Sequence, residues 1–413
     1  MTLPPRSDVP APREPWPAVA HQRREWQWPR TGPKPPRRDR QFHEFDATVP
    51  AAVADRPVRP GPEAAAALAA AAEAVDVLDR STTVDLTALA GALLRSESVA
   101  SSKIEQLRAS QRDVGLAMLR GVPVHNAAAH VAANVRAMTA AVRAAERADP
   151  LTVEDLLEIH RTLLSDDPLT GDWAGHLRGV QNWIGGSDHS PRDALFIPPP
   201  PGLVAPLVED LLRFCNRTDL DPLAQAALAH AQFETIHPFA DGNGRTGRAL
   251  VHVLLRRRGL ARSTVVPVST VLLANIDGYF AGLADYQTGR LDPWLARFAA
   301  ATSLAASAGQ RLAAELAETR EAWGETARPR RGSAGSVIIE RLLQQPVLDI
   351  DVLRRIVPGV AEKNLYRAVD RLVDAEVLTE LSGGGRNRVW AALDVLDLLE
   401  RFESSLGRRR LAS

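Results

Sequence analysis

The sequence has almost no cysteine, almost no lysine and no net charge, and each shortage closes off a class of protein. Cys215 stands alone among 413 residues, so no intrachain disulfide can form and no cysteine-based zinc site can be assembled. A reducing cytoplasm is the expected compartment. Fifty basic and fifty acidic side chains cancel, which removes any whole-chain attraction to nucleic acid or an anionic membrane and leaves only local patches. Lysine occurs three times, as Lys34, Lys103 and Lys363. The arginine excess, beside abundant alanine, reads as the mark of a GC-rich genome, so arginine numbers alone say little about phosphate binding. Nowhere do about eighteen apolar residues run uninterrupted, and the Pro/Arg-rich N-terminus has no apolar stretch of signal-peptide length. Neither export by that route nor a membrane partner is expected. What is present, 45% hydrophobic and 24% charged residues, is the composition of a folded chain, long enough for a large core and one or two smaller modules.

Texture divides the chain. Residues 1–60 are rich in proline and arginine, with Pro33, Pro35 and Pro36 among Lys34, Arg37, Arg38 and Arg40. That composition resists helix and predicts a weakly packed arm pinned by Trp26 and Trp28. Residues 61–150 and 151–320 carry Ala- and Leu-rich segments with helical spacing, which predicts a mainly α core. Between Gly179 and Pro201, two short apolar runs flank a Gly/Ser/Asp turn, the pattern of a β-hairpin. Residues 321–335 read as a linker. Over 336–413 a helical pattern is followed by Glu376-Val377-Leu378-Thr379, a Gly383-Gly384-Gly385 turn and Arg386 to Trp390, which suggests a winged helix-turn-helix domain.

The most informative stretch runs from His237 to Arg248, HPFADGNGRTGR. The segment from Leu223 to Ile236 is apolar with helical spacing, and Pro238 should end that helix at about His237. Gly242, Asn243 and Gly244 permit a tight turn with unusual backbone angles just before a new helix, which makes an anion cradle at a helix N-terminus. Arg245 and Arg248 are three apart on that helix and can address neighbouring phosphates. Asp241 is a hard oxygen ligand of the kind that holds Mg2+ beside phosphates. His237 can accept a hydroxyl proton near neutral pH. Together these residues point to phosphoryl or nucleotidyl transfer onto a hydroxyl. The chain has no Walker A loop, no kinase catalytic and Mg-binding motifs and no zinc-protease helix motif.

These twelve residues match the Fic/Doc family signature, His-x-Phe-x-(Asp/Glu)-Gly-Asn-Gly-(Arg/Lys)-x-x-Arg, at every fixed position, so the chain resembles that family. The resemblance implies a Fic-type helical core in which His237 deprotonates a Ser, Thr or Tyr of a target protein, itself included, and the hydroxyl takes AMP from Mg-ATP. Asp241 would bind Mg2+, Gly242, Asn243, Gly244 and Arg245 would hold the α- and β-phosphates, and Arg248 would meet the γ-phosphate. The hairpin, with Ile184, Gly185, Gly186, Phe196 and Ile197, is similar to the family's flap for a target strand. Ser101-Ser102-Lys103-Ile104-Glu105-Gln106 resembles the inhibitory motif, Ser/Thr-x-x-x-Glu followed by Gly or Asn. Ser101 and Glu105 share a helix face, so Glu105 is expected at Arg248 in place of the γ-phosphate, with Gln106 departing from the pattern. Removal of AMP, and homodimerisation, are further implications of the resemblance. Tyr279, Tyr286 and Asp292-Pro293-Trp294 read as packing residues. In the C-terminal module, Lys363, Asn364, Arg367, Arg371, Arg386 and Arg388 offer contacts to DNA, whereas Glu362, Asp370, Asp374 and Glu376 dilute that face in favour of protein docking. Two alternatives stay open: a DNA-binding regulator with the core as nucleotide sensor, and a phosphotransferase.

Overall fold

The computed structural model describes residues 15–27, 34–80, 86–119, 126–147, 149–164, 170–382 and 387–408. The mainly α expectation holds. At the centre lie two helices, Pro222–Ile236 and Asn243–Arg257, joined by the His237–Gly242 loop. The first is alanine-rich on every side and is buried at nearly every position, as a helix without a polar face must be. Pro222 occupies its first turn, and the Asp221 side chain accepts from the Ala224 amide at 2.8 Å, a cap that fixes where the helix begins.

Around this pair pack Leu86–Ile104, Asn126–Ala144, Val153–Leu164, Pro201–Cys215 and Val268–Ala274. The 37-residue helix Leu291–Ala327 runs beside Pro62–Asp79 and carries the fold toward the C-terminal module. No helix among the described residues is long and apolar enough to cross a membrane.

Three features differ from the sequence-based expectation. Residues 15–27 and 34–60 carry a six-residue antiparallel hairpin, Ala20–Glu25 against Glu44–Val49, whose first strand is exposed throughout and whose second is partly buried. Its aromatics explain this, since Trp26 lies edge-on to Trp183 at 5.4 Å and near Phe45, while Trp16 reaches Tyr286. Trp28 lies outside the described residues. The linker is also shorter than 321–335, because helix continues to Ala327 through a Glu/Ala-rich stretch of high helix propensity. Finally, the hairpin of 179–201 is reduced to one bridge, Ile184 to Phe196, since Gly185, Gly186 and Asp193 all take positive φ and interrupt a ladder.

The C-terminal module has helices Ala334–Leu342, Ile350–Ile356 and Glu362–Asp374, then a three-stranded sheet of two-residue strands in which Trp390–Ala391 lies between Val347–Leu348 and Thr379–Glu380. The turn of Gly383, Gly384 and Gly385 with Arg386 lies outside the described residues. The last helix, Leu393–Arg408, returns to the larger helical body and packs against Leu86–Ile104, Gln111–Ala117, Val268–Ala274 and the long helix.

Candidate active site

His237 ends the Pro222–Ile236 helix in a left-handed conformation, φ 51° and ψ 60°. Such a backbone is costly for a non-glycine residue and persists only where its surroundings enforce it. They do so here through Arg178, a residue that carries no signal in the sequence. Its guanidinium donates to the carbonyls of His237 (2.8 Å), Ile236 (3.3 Å), Pro199 (2.7 Å) and Val180 (3.1 Å). It thereby satisfies carbonyls left over at a helix C-terminus and ties the start and end of the flap to the loop. Burial pulls the Arg178 pKa down to about 10, and burial together with the Arg178 charge pulls that of His237 down to about 4. The imidazole is therefore neutral at physiological pH, and its Nδ1 has no hydrogen-bond partner.

The loop after His237 is built by side chains reaching its backbone. Asn243 accepts from the Phe239 amide and donates to the Phe239 carbonyl, both at 2.8 Å. Its side-chain amide is therefore engaged in shaping the loop. Asn182 donates to the same carbonyl at 3.0 Å. His160, also unforeseen, stacks on Phe239 at 3.7 Å, accepts at Nδ1 from the Gly175 amide and so donates from Nε2 to the Asp241 carbonyl at 3.0 Å. Gly242 has φ 74°, and a Cβ there would press on Leu163 and His160. Thr246 bonds back to the Gly242 carbonyl, so the amides of Asn243 and Gly244 lie ahead of the first helical hydrogen bond and form an anion cradle. The Asp241 carboxylate is half exposed at its mouth, 3.8 Å from Arg245.

Glu105 fills this cradle. Its Oε1 accepts from Arg248 Nη2 at 2.8 Å, while Arg248 also donates to the Ser101 hydroxyl and carbonyl, each at 2.8 Å. A Cβ on Gly244 would overlap the Glu105 carboxylate. Desolvation raises the Glu105 pKa, but Arg248, with help from Arg245 and His237, holds it below its ordinary value. The reason for the register is visible in the helix: Glu97, Ser101 and Glu105 are four apart and face His252, Arg248 and Gly244, also four apart. Glu97 bonds His252 at 2.9 Å and the Ser269 amide at 2.7 Å. Gln106 has φ 64°, which accounts for Gly or Asn at that place in the signature it departs from, since both tolerate left-handed backbone.

On the flap, Ile184 is 42% and Leu195 86% exposed, an apolar edge left open to a partner. The N-terminal hairpin braces its other side. The Thr48 amide donates to the Ile197 carbonyl at 2.8 Å, and buried Asp39 accepts from Ser190 at 2.7 Å and from Arg192 at 3.3 Å. Tyr279, Tyr286 and Trp294 are buried packing residues, although Tyr279 also meets His230 Nε2 at 2.9 Å.

The titration of this core sets a pH dependence. Burial depresses His160 to about 4, His230 to about 3 and His237 to about 4, against about 6.5 in an unfolded chain. Their neutral forms stabilise the fold above pH 6.5, and that stability is lost as pH falls from there through 4, by up to about 1.4 kcal/mol per pH unit for each proton. Burial raises Glu234 to about 8, which acts in the opposite sense, as its protonated form favours the fold as pH falls. Three groups outweigh one. Calorimetry should give a melting temperature several degrees lower at pH 5 than at pH 7; an equal or higher value at pH 5 would contradict the assignment.

Residues 150–255 match the Fic/DOC family. The chain is 42% identical over 113 residues to protein adenylyltransferase Fic of Drosophila melanogaster, covering 26% of this chain and 20% of that protein. It is 30% identical over 180 residues to protein adenylyltransferase fic-1 of Caenorhabditis elegans, covering 43% and 32%. The chain thus spans only between about a fifth and a third of the length of these relatives. A crystal structure of a Fic family protein from Desulfovibrio desulfuricans superposes with a TM-score of 0.51 at 23% identity, over 82% of this chain and 98% of that one, which establishes a shared fold.

Proposed function

We propose that this Fic/DOC-family protein is a protein adenylyltransferase that is held back by its own Glu105. The observation that carries the reading is the meeting of three parts at one loop: a buried neutral imidazole at His237, an anion cradle at Gly242–Arg248, and a carboxylate already sitting where an anion binds. Relatives that bear the name adenylyltransferase support the AMP-transfer chemistry.

In the reaction, the target's hydroxyl proton passes to the free nitrogen of His237 as the oxygen attacks the α-phosphorus of ATP. The new P–O bond replaces the bond to the β-phosphate oxygen, and pyrophosphate leaves. Arg178 keeps the base neutral and its backbone in place, and the Gly244 amide with Arg245 and Arg248 carries the growing charge of the leaving group. The open edge beside Ile184, Gly185 and Gly186, opposite Phe196 and Ile197, receives the target as an added strand. Asp241 fits as a Mg2+ ligand, being a single, half-exposed carboxylate at the cradle mouth, where that ion takes its other ligands from phosphate and water. When bound, Mg2+ neutralises phosphate charge.

Displaced from Arg248, Glu105 would lie close enough to the same centre to orient water for AMP removal. For the C-terminal module we favour protein docking over DNA binding, because Arg388 is already paired with Glu380 and Asp370 and lies over Trp390.

The test uses ATP labelled on the α- or the γ-phosphate, supplied with Mg2+ and a lysate as target source. Label from the α-position alone should appear on protein, and His237→Ala should abolish it. Transfer of γ-label would instead make the chain a phosphotransferase, and transfer of neither would return it to the role of nucleotide sensor.

A further inference from the structure

Between the catalytic half and the C-terminal module lies a cavity of about 770 Å³. Six of its twenty lining residues are arginines: Arg95, Arg143, Arg256, Arg262, Arg341 and Arg355. One, Glu146, is acidic. The chain as a whole carries equal numbers of acidic and basic residues, so a genome-wide preference for arginine does not account for a wall with six cations and one carboxylate.

The partners of these arginines are few. Arg95 is 3% exposed; its Nε donates to Gln111 at 3.0 Å and its Nη1 lies 3.5 Å from Met118 Sδ, while Nη2 has no partner. A buried, unsatisfied guanidinium nitrogen is costly unless something is bound to it. Glu403 is near enough to act on Arg95 electrostatically, but its carboxylate is held by Lys103 at 2.5 Å and by Gln111. Arg256 donates from Nη2 to the Thr264 carbonyl at 3.2 Å and reaches Glu146 only at 3.8 Å, and its Nε is unpartnered. Arg262 is neutralised by Asp76 and Asp79. Among the described residues, Arg143, Arg341 and Arg355 have no carboxylate partner.

We infer that this cavity binds a phosphorylated small molecule of the nucleotide or polyphosphate class, gripped from both sides of the seam by guanidinium groups. Arginine forks match phosphate oxygens in pairs. Leu94, Val135, Val265 and Ile356 supply apolar wall for a base or another organic part, and the volume lies within the range of about 300–1,000 Å³ usual for small-molecule sites. A recess of this kind suits a compact ligand better than a polymer. The exposed basic residues Arg367 and Arg371 are not among its walls.

Binding can be measured without reference to AMP transfer, by titration calorimetry of the full chain with inorganic tripolyphosphate in the absence of divalent metal. Arg248→Ala removes the cradle's anion contact; Arg341→Glu/Arg355→Glu reverses charge at two exposed positions on the cavity rim; Arg367→Glu/Arg371→Glu changes charge equally elsewhere. Affinity should survive the first and third variants and fall at least about tenfold in the second, as expected when two charge-assisted contacts become repulsive. No binding to the wild type would overturn the inference, as would loss with Arg248→Ala alone or equal loss in both double variants.

Discussion

Glu105→Gly should raise AMP transfer about ten- to a hundredfold when ATP is below saturation. The carboxylate makes a charge-assisted bond to Arg248, an interaction of roughly 1.5–3 kcal/mol, and ATP must break it before its own phosphates can use the cradle. Removing the side chain removes that cost from kcat/KM for ATP. The same substitution should lower stability, because Arg248 is 3% exposed on its side chain and loses its carboxylate partner, keeping the neutral Ser101. Glu105 is itself 38% exposed, so the loss is nearer about 1–2 kcal/mol than the larger penalty of a fully buried pair. A lock predicts opposite signs, with activity up and melting temperature down. A merely structural glutamate predicts that both fall, and that result would remove autoinhibition from the account.

The second large effect is expected at Arg178. Arg178→Ala leaves the carbonyls of Ile236, His237, Pro199 and Val180 without their donor and should cost about 3 kcal/mol of stability. Activity should suffer further. The base and the flap lose their common anchor, and a displacement of about 1 Å at a reacting group can cost roughly a hundredfold in rate. Since Arg178 does not touch the cradle, kcat should fall while KM for ATP stays near its original value. The acid limb of the pH–rate profile should also move upward, because the Arg178 charge is one of the causes that depress His237. Arg178→Lys keeps the charge but not the fork, so it should restore the pH profile more fully than the rate. A fall in kcat together with a rise in KM for ATP, with an unmoved acid limb, would reduce Arg178 to a stability role.

The catalytic loop was legible in the sequence because its chemistry is local: Pro238 ends a helix, two glycines shape the turn, and two arginines share a face within twelve residues. Glu105 was legible through the resemblance of the segment from Ser101 to Gln106 to an inhibitory motif, and the four-residue spacing then put it on the face of Ser101. Arg178 was not, since its partners lie on four separate carbonyls at separations of up to 59 residues, and an isolated arginine gives no such signal. His160 likewise sits on a helix where a lone histidine reads as ordinary packing. The N-terminal hairpin was not legible because proline argues against helix, not against extended chain, although Trp26 does pin the segment as expected. The arginine-lined seam draws its wall from five separate stretches of chain, a convergence that no periodicity encodes.

Gly244 carries no side chain. The space it leaves is occupied by Glu105, and on the proposed reaction a phosphate must occupy it instead. The two cannot be there together, so Glu105 behaves as a tethered competitor whose effective concentration is fixed by its helix. Saturating ATP should therefore restore the rate of the wild type toward that of Glu105→Gly, with the apparent affinity lowered by the fraction of molecules in the open state. On that reading the nucleotide would be both reagent and release signal, and the rate would follow ATP concentration more steeply in the wild type than in Glu105→Gly.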